Sequence, residues 1–263
     1  MKIALITGAS TGIGRRYAEQ LAAKGHNVLI ISNQRELNEE VAAAIEAQYG
    51  VRALPLYADL AQVNSAEQIY DFCQREGLEV DILISNAGIL QFGQMLRMRD
   101  GLVELINALH CTTPAKLCRL FGADMCSRRE GRILIMSSIT AWTPYPTISL
   151  YGATKVYLKS FAQSLWYEFR PYGVKVTTVY PGAVDTPLYK LDDKYRRLFR
   201  RLGLMLSPEQ LAKSGLRAMF RGSRSCIPGL FAKFVAAVCY LLPAHALLPV
   251  LKIPAIKRLL AKL

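Results

Sequence analysis

Two rhythms of apolar and polar residues alternate along the first two thirds of this chain. Short apolar or β-branched runs predict strands at Ile3–Ile6, Asn27–Ile31, Arg52–Tyr57, Ile82–Ser85, Arg132–Met136 and Lys175–Val179. Between them, apolar residues recur at helical spacing, predicting helices over 13–24, 36–48, 65–76, 97–109, 113–127 and 149–170. Strands that alternate with helices form βαβ units, and parallel strands need crossovers long enough to hold a helix. The expected fold is therefore α/β, a doubly wound parallel sheet covered by helices on both faces. At 263 residues, with no internal repeat or low-complexity linker, the chain reads as a single domain.

The rhythm changes after about residue 185, and the chain divides into a core (1–187), a loop with helices (188–222) and a last strand with a tail (223–263). Six cations, Lys190, Lys194, Arg196, Arg197, Arg200 and Arg201, crowd into one segment, and no acidic residue occurs from Gln210 to Leu263. The whole chain carries a net charge of +13 with 52% hydrophobic residues, a pairing that suggests an anionic surface as partner. Phe234–Leu251 is uncharged over 18 residues, the lower edge of a membrane span, but Pro243 and Pro249 interrupt it and His245 sits near its middle. Three readings follow: a spanning helix, two short interfacial helices whose Lys252, Lys257, Arg258 and Lys262 meet anionic headgroups, or a tail that packs on the domain as lid or dimer interface. The interfacial reading accounts for the missing acids.

Other classes find less support. The six cysteines (73, 111, 118, 126, 226, 239) include no C-x-x-C, and the three histidines (26, 110, 245) are far apart, so reduced thiols and no metal site are expected. Met1-Lys2 runs directly into four apolar residues and a glycine loop, too short for a signal-peptide core, so the amino terminus reads as the first strand. The basic charge lies beside leucines without a base-stacking platform, and no nucleic-acid partner is expected.

Chemistry concentrates at three places. Thr7-Gly8-Ala9-Ser10-Thr11-Gly12-Ile13-Gly14 follows the first strand and opens the first helix, where backbone amides and the positive helix end favour a pyrophosphate. Its spacing differs from G-x-G-x-x-G, and a purely structural turn is the alternative. Tyr151 and Lys155 stand at i and i+4, on one face of a helix. A cation beside a phenol lowers a pKa otherwise near about 10 toward the working pH, as a general acid/base requires. An ordinary exposed helix pair would give the same spacing. Ser138, thirteen residues upstream of Tyr151, supplies a hydroxyl for the same substrate oxygen.

The order and spacing of these residues over 3–187 resemble the short-chain dehydrogenase/reductase family, and that resemblance implies a Rossmann-like fold. The family's T-G-x-x-x-G-x-G loop matches Thr7–Gly14, which assigns Gly8, Ser10, Gly12, Ile13 and Gly14 to the cofactor. Asp59-Leu60 matches the adenine contact, Asn86-Ala87-Gly88 the N-A-G after the fourth strand, and Pro181-Gly182 with Thr186 the segment near the nicotinamide. Ser138, Tyr151 and Lys155 match the catalytic serine, tyrosine and lysine, and Asn107 the asparagine of the proton relay. By the family's mechanism Tyr151 protonates the carbonyl oxygen, Lys155 lowers its pKa and holds the nicotinamide ribose, Ser138 orients the carbonyl and Asn107 fixes a water that reloads the proton.

The second strand ends in Ser32-Asn33-Gln34-Arg35, without the acid that binds the ribose hydroxyls of NAD. NADPH is therefore expected over NADH. Ser32 and Asn33 would line the ribose, and Arg35 would either pair with the 2′-phosphate or stand as a solvated helix-start residue. The family's NADPH members often carry a basic residue where Asn33 or Thr11 stands, so this chain departs from that pattern.

The apolar loop side chains Leu188, Tyr189, Leu191, Tyr195, Leu198, Phe199, Leu202, Leu204, Met205 and Leu206 are either lid-core contacts or a greasy substrate wall. Ile227-Pro228-Gly229, followed by proline-broken apolar helices, resembles the membrane-associated branch that reduces 3-oxoacyl chains, 3-ketosphinganine or ketosteroids. The expected function is NADPH-dependent reduction of a long-chain 3-keto lipid or steroid-like ketone, cytoplasmic or peripheral on the cytosolic membrane face, in a homo-oligomer. The alternatives are a soluble reductase of small carbonyls or sugars, and a cofactor-binding regulator without turnover, whose expected mark would be a broken Ser-Tyr-Lys-Asn set.

Overall fold

The computed structural model describes residues 1–145, 147–186 and 192–241. The chain opens with β1 (Lys2–Thr7), α1 (Gly12–Ala22), β2 (Val28–Ser32), α2 (Arg35–Tyr49), β3 (Ala53–Tyr57), α3 (Ser65–Arg75) and β4 (Glu79–Ser85). The second half of the core adds α4 (Leu102–Asn107), α5 (Thr113–Ser127), β5 (Gly131–Met136), α6 (Ser149–Phe169) and β6 (Val174–Val179). Then come β7 (Ala183–Val184), α7 (Asp193–Arg201), β8 (Met205–Leu206), α8 (Pro208–Phe220), β9 (Ser225–Cys226) and α9 (Leu230–Leu241).

Seven strands form one parallel sheet in the order β3-β2-β1-β4-β5-β6-β9, as the alternating pattern predicted. Successive residues of a strand point to opposite faces, and each face has its own core. Ala4, Ile6, Val28, Ile30 and Ile84 pack under α1, α2 and α8, with Tyr17, Leu21 and Leu216. Ile3, Leu5, Leu29, Ile31 and Leu83 pack under α3, α5 and α6, with Phe121 and Leu158. The chain winds one way from β1 to β2 and β3, and the other way from β4 to β6. Its direction reverses between β1 and β4, and the crevice at their carboxyl ends is where α/β sheets take ligands.

The main departure from the predicted elements concerns the helices 97–109 and 113–127. Residues 95–97 form a separate 3-10 turn, and α4 starts only at Leu102. It then runs into α5 through a π-helical turn, Ala108–Thr112, in which the Thr113 amide donates to Ala108 O five residues back. Pro114 explains the turn: it has no N–H for the carbonyl of residue 110 and its ring crowds that carbonyl, so the ladder widens before it. The short sheet β7-β8, Ala183–Val184 beside Met205–Leu206, is not among the predicted strands. Ser207-Pro208-Glu209-Gln210 opens α8 with a capping box: Gln210 N donates to Ser207 Oγ and Ser207 N to Gln210 Oε1, both at 3.1 Å.

Of the apolar run Phe234–Leu251, the first eight residues complete α9, and 242–251 lie outside the described residues, as do Leu188, Tyr189, Lys190 and Leu191 of the loop and Lys252, Lys257, Arg258 and Lys262 of the tail. Among the described residues no helix is long and apolar enough to cross a membrane. The outward side of α9 is nonetheless greasy, with Leu230, Phe231, Phe234, Tyr240 and Leu241 exposed.

Candidate active site

A cleft of about 520 Å³ opens at the carboxyl ends of β1, β2 and β4, where the winding reverses. Its floor is built by close backbone approach. Gly8 takes φ +67° and Gly12 φ +54°, which L side chains rarely adopt. A Cβ on Gly14 would stand only 2.0 Å from Gly8 O, so the first turn of α1 can reach β1 only through a glycine. Thr7 Oγ1 accepts from the amides of Asn86 and Ala87, both at 3.0 Å, and Asn86 Nδ2 donates to Thr7 O at 2.9 Å. These bonds lock the loop after β4 to the loop after β1.

Gly8, Ser10, Gly12, Ile13, Gly14, Ser32, Asn33, Asp59, Leu60, Asn86, Ala87, Gly88 and Thr186 all line this cleft. Thr11, Gln34, Ala58, Ile89, Leu105 and Leu109 line it too. Gln34 was readable as the neighbour of Asn33, whereas Leu105 and Leu109 looked like any core-facing helix residues. Several predicted groups are already engaged within the protein. Ser32 Oγ donates to Asn38 Oδ1 at 2.6 Å and accepts from Gln34 N at 3.1 Å. Asp59 accepts from Ala61 N at 3.1 Å and Gln62 Nε2 at 3.0 Å, the local turn bonds of a short acidic side chain. Arg35 is outside the lining: its guanidinium lies over the Tyr57 ring, 5.0 Å from the centroid.

A narrow glycine floor beneath a helix N-terminus, with exposed Asn33 beside it, fits a dinucleotide: bulk is missing where a pyrophosphate needs close backbone approach. Thr186 and Gly88 line the cleft, whereas Pro181 and Gly182 are not among its lining residues. Pro181 O accepts from Ile139 N at 3.0 Å, and a Cβ on Gly182 would meet Ala232 of α9 at 3.1 Å.

The acid/base candidates gather at the ends of β5 and α6. Ser138 is buried and its Oγ accepts from Thr140 N at 3.1 Å, capping a 3-10 turn over Ile139–Ala141. Tyr151 lies half-buried on the first turn of α6, and Lys155 one turn on has its Nζ 5.3 Å from the Tyr151 ring centroid. Lys155 is only 5% exposed and donates to Met136 O at 3.1 Å, while Ser137 Oγ donates to Lys155 O at 2.8 Å. Burial pushes the Lys155 ammonium down to about 8, with nearby Cys111 pulling the other way. The pair is thus not a solvated surface pair but one ordinary helix position beside a desolvated cation. Asn107 ends α4 where the π turn begins, between the lining residues Leu105 and Leu109.

The sequence reading passed over His110. It is 1% exposed, stacks edge-on to Tyr151 at 5.6 Å, and both its ring nitrogens have partners. As an isolated histidine it carried no motif. Among the described residues no group of three or more His, Cys, Asp or Glu side chains is placed to hold a metal ion.

The chain is similar to known proteins. Residues 2–196 match the family model described as short chain dehydrogenase. The chain is 34% identical over 242 residues to 17-beta-hydroxysteroid dehydrogenase type 3 of Mus musculus, covering 89% of this chain and 74% of that protein. It is 31% identical over 229 residues to the very-long-chain 3-oxoacyl-CoA reductase of Homo sapiens, covering 84% and 70%. A solved short-chain dehydrogenase from Sphingobium yanoikuyae in complex with NADPH superposes with TM-score 0.79 at 27% identity, covering 90% of this chain and 92% of that one. A glycine cradle at the β1/β4 reversal, a Tyr-Lys helix beside it and a family match across most of the chain lead to one conclusion: this protein belongs to the short-chain dehydrogenase/reductase family and is an NAD(P)-dependent oxidoreductase of its ketoacyl and ketosteroid reductase branch.

Proposed function

We propose that the protein reduces an apolar ketone, a long-chain 3-keto lipid or a steroid-like ketone, to a secondary alcohol with NADPH. The observation that carries the chemistry is the buried Lys155 ammonium beside Tyr151, whose ring packs on His110 next to the cleft residue Gly88. The bound dinucleotide supplies hydride. Tyr151 donates the proton to the carbonyl oxygen, and the Lys155 charge stabilises the phenolate left behind. The Ser138 hydroxyl, its acceptor lone pair held by Thr140 N, keeps its own proton to donate to the same oxygen. Asn107, at the π turn, holds the water through which Tyr151 is reloaded.

Preference for NADPH rests on electrostatics at the end of β2. Asn33 and Gln34 line the cleft there, and neither repels a 2′-phosphate. Asp59 is the acidic residue of the lining, and turn bonds occupy its carboxylate. The solved relative bound to NADPH supports the same choice. For the substrate, the relatives named for hydroxysteroid and 3-oxoacyl-CoA chemistry agree with the exposed apolar side of α9, which continues into a tail without acids. That side and the basic tail would rest on an anionic membrane surface on the cytosolic side, from which such a ketone is drawn. The test is NADPH and NADH oxidation against 3-keto lipids, ketosteroids and small carbonyls, with Tyr151→Phe as control. Turnover of the apolar ketones that vanishes in the variant is the expected result; turnover of small carbonyls alone would sink the substrate reading.

A further inference from the structure

One buried titratable side chain beside this site is not used by the chemistry above. His110 lies in the π turn between α4 and α5, and its two nitrogens face different elements. The Ile89 amide, in the loop after β4, donates to Nε2 at 3.1 Å. Nδ1 lies 2.8 Å from Thr154 Oγ1 on α6, and Thr154 Oγ1 in turn donates to Tyr151 O at 2.8 Å. The ends of this chain fix its direction. A backbone amide can only donate and a carbonyl can only accept, so Nε2 must carry the lone pair, Nδ1 the proton, and the Thr154 hydroxyl must accept from the ring and donate onward. All groups are satisfied in one sense and in no other.

Two further observations show that space is kept for this ring. A Cβ on Gly88 would stand 2.7 Å from His110 Nε2, so the glycine that lines the cofactor cleft also admits the imidazole. The ring then meets Tyr151 edge to face, at 5.6 Å and 78°. Burial, with the Lys155 charge as a lesser cause, pushes the imidazole pKa down to about 2. The ring therefore stays neutral and keeps the lone pair that Ile89 needs.

We propose that His110 is a positioning residue for the acid/base tyrosine: a neutral imidazole strut that ties the Gly88–Ile89 loop under the cofactor to the helix turn carrying Tyr151. Cofactor floor and proton donor are thereby held in one register, although they belong to separate elements. The inference rests on the reading of Tyr151 as general acid.

The test uses the full-length protein with NADPH bound. In ¹⁵N-histidine spectra of the wild type, assigned with His110→Gln, the His110 ring should remain neutral with its proton on Nδ1 from about pH 5 to about pH 8. Replacement by alanine should lower kcat by roughly 10–100-fold while KM and NADPH affinity stay within about 3-fold, because misplacing a reacting group costs rate rather than binding. It should also move the ionisation midpoint of Tyr151, followed by ¹³Cζ-tyrosine NMR and assigned with Tyr151→Phe. His110→Gln, whose amide can accept from Ile89 and donate to Thr154, should restore most of both; Thr154→Val should reproduce part of the alanine defect. A proton on Nε2, or protonation within that pH range, overturns the strut. So does an alanine variant with wild-type kcat and Tyr151 midpoint, or one that loses NADPH binding and turnover together without rescue by glutamine. Absence of turnover in the wild type would instead refute the functional reading, and the two NMR measurements, which need no substrate, would still decide the role of His110.

Discussion

The two ends of the site are built on different physics. At the cofactor end, shape is set by backbone contact: Gly14 against Gly8 O, positive φ at Gly8 and Gly12, and the Thr7–Asn86 bonds between two loops. No charged side chain is needed to hold it. At the acid/base end, buried polar groups hold one another: Lys155 on Met136 O, Ser137 on Lys155 O, His110 between Ile89 and Thr154. A cradle of this kind fails by steric intrusion, which damages binding and fold together. A network of buried charge fails electronically, and can lose its chemistry while the fold survives or even gains.

The largest effect expected from breaking that comparison is at Tyr151. Tyr151→Phe removes the general acid and should lower kcat by about 10²–10⁴-fold, with NADPH affinity unchanged by fluorescence titration. Lys155 sharpens the contrast because its stability and activity effects have opposite signs. Its ammonium is held near 8 rather than 10.5, so between those values the unfolded chain binds the extra proton and stability rises with pH. Below about pH 8 the penalty is present in full. Lys155→Met should therefore abolish turnover yet stabilise the cofactor-free fold at pH 7 by up to roughly 3 kcal/mol, read by denaturant unfolding. In the wild type, ketone reduction should fall as pH rises through about 8, where Lys155 loses its charge.

Gly14→Ala tests the opposite end. Its Cβ meets a backbone oxygen that cannot rotate away, so the variant should lose about 1–3 kcal/mol of stability and bind NADPH at least ~10-fold more weakly. Both losses should appear in one variant, unlike those at Tyr151. The smallest change is Asn33→Asp, which places a carboxylate at the end of β2 and should shift the NADPH/NADH preference by about 10-fold toward NADH, measured as a ratio of kcat/KM values.

Regular elements were legible because their periods are local. The helices predicted at 36–48 and 149–170 appear as Arg35–Tyr49 and Ser149–Phe169, and the six strands appear within a few residues of their predicted ends. The π turn was not legible, since Pro114 announces a disturbed helix but not whether the chain breaks or widens there. Likewise Arg35 carried the expected charge beside the expected strand, and only the neighbouring Tyr57 of β3 shows where its guanidinium rests.

The sequence by itself determined the parallel doubly wound sheet, the glycine cradle, and the placing of Tyr151 and Lys155 on one helical face. Each follows from spacing within a few residues, and spacing of that kind fixes backbone geometry. Only the tertiary structure decided that Lys155 is desolvated, that Ser32 and Asp59 spend their side chains on local bonds, and that Gly88, His110 and Thr154 meet. Those outcomes depend on which way side chains point once distant segments pack, and on which polar groups must find partners away from water. Residues 88, 110 and 154 share no local pattern; the buried ring between them is a consequence of the fold.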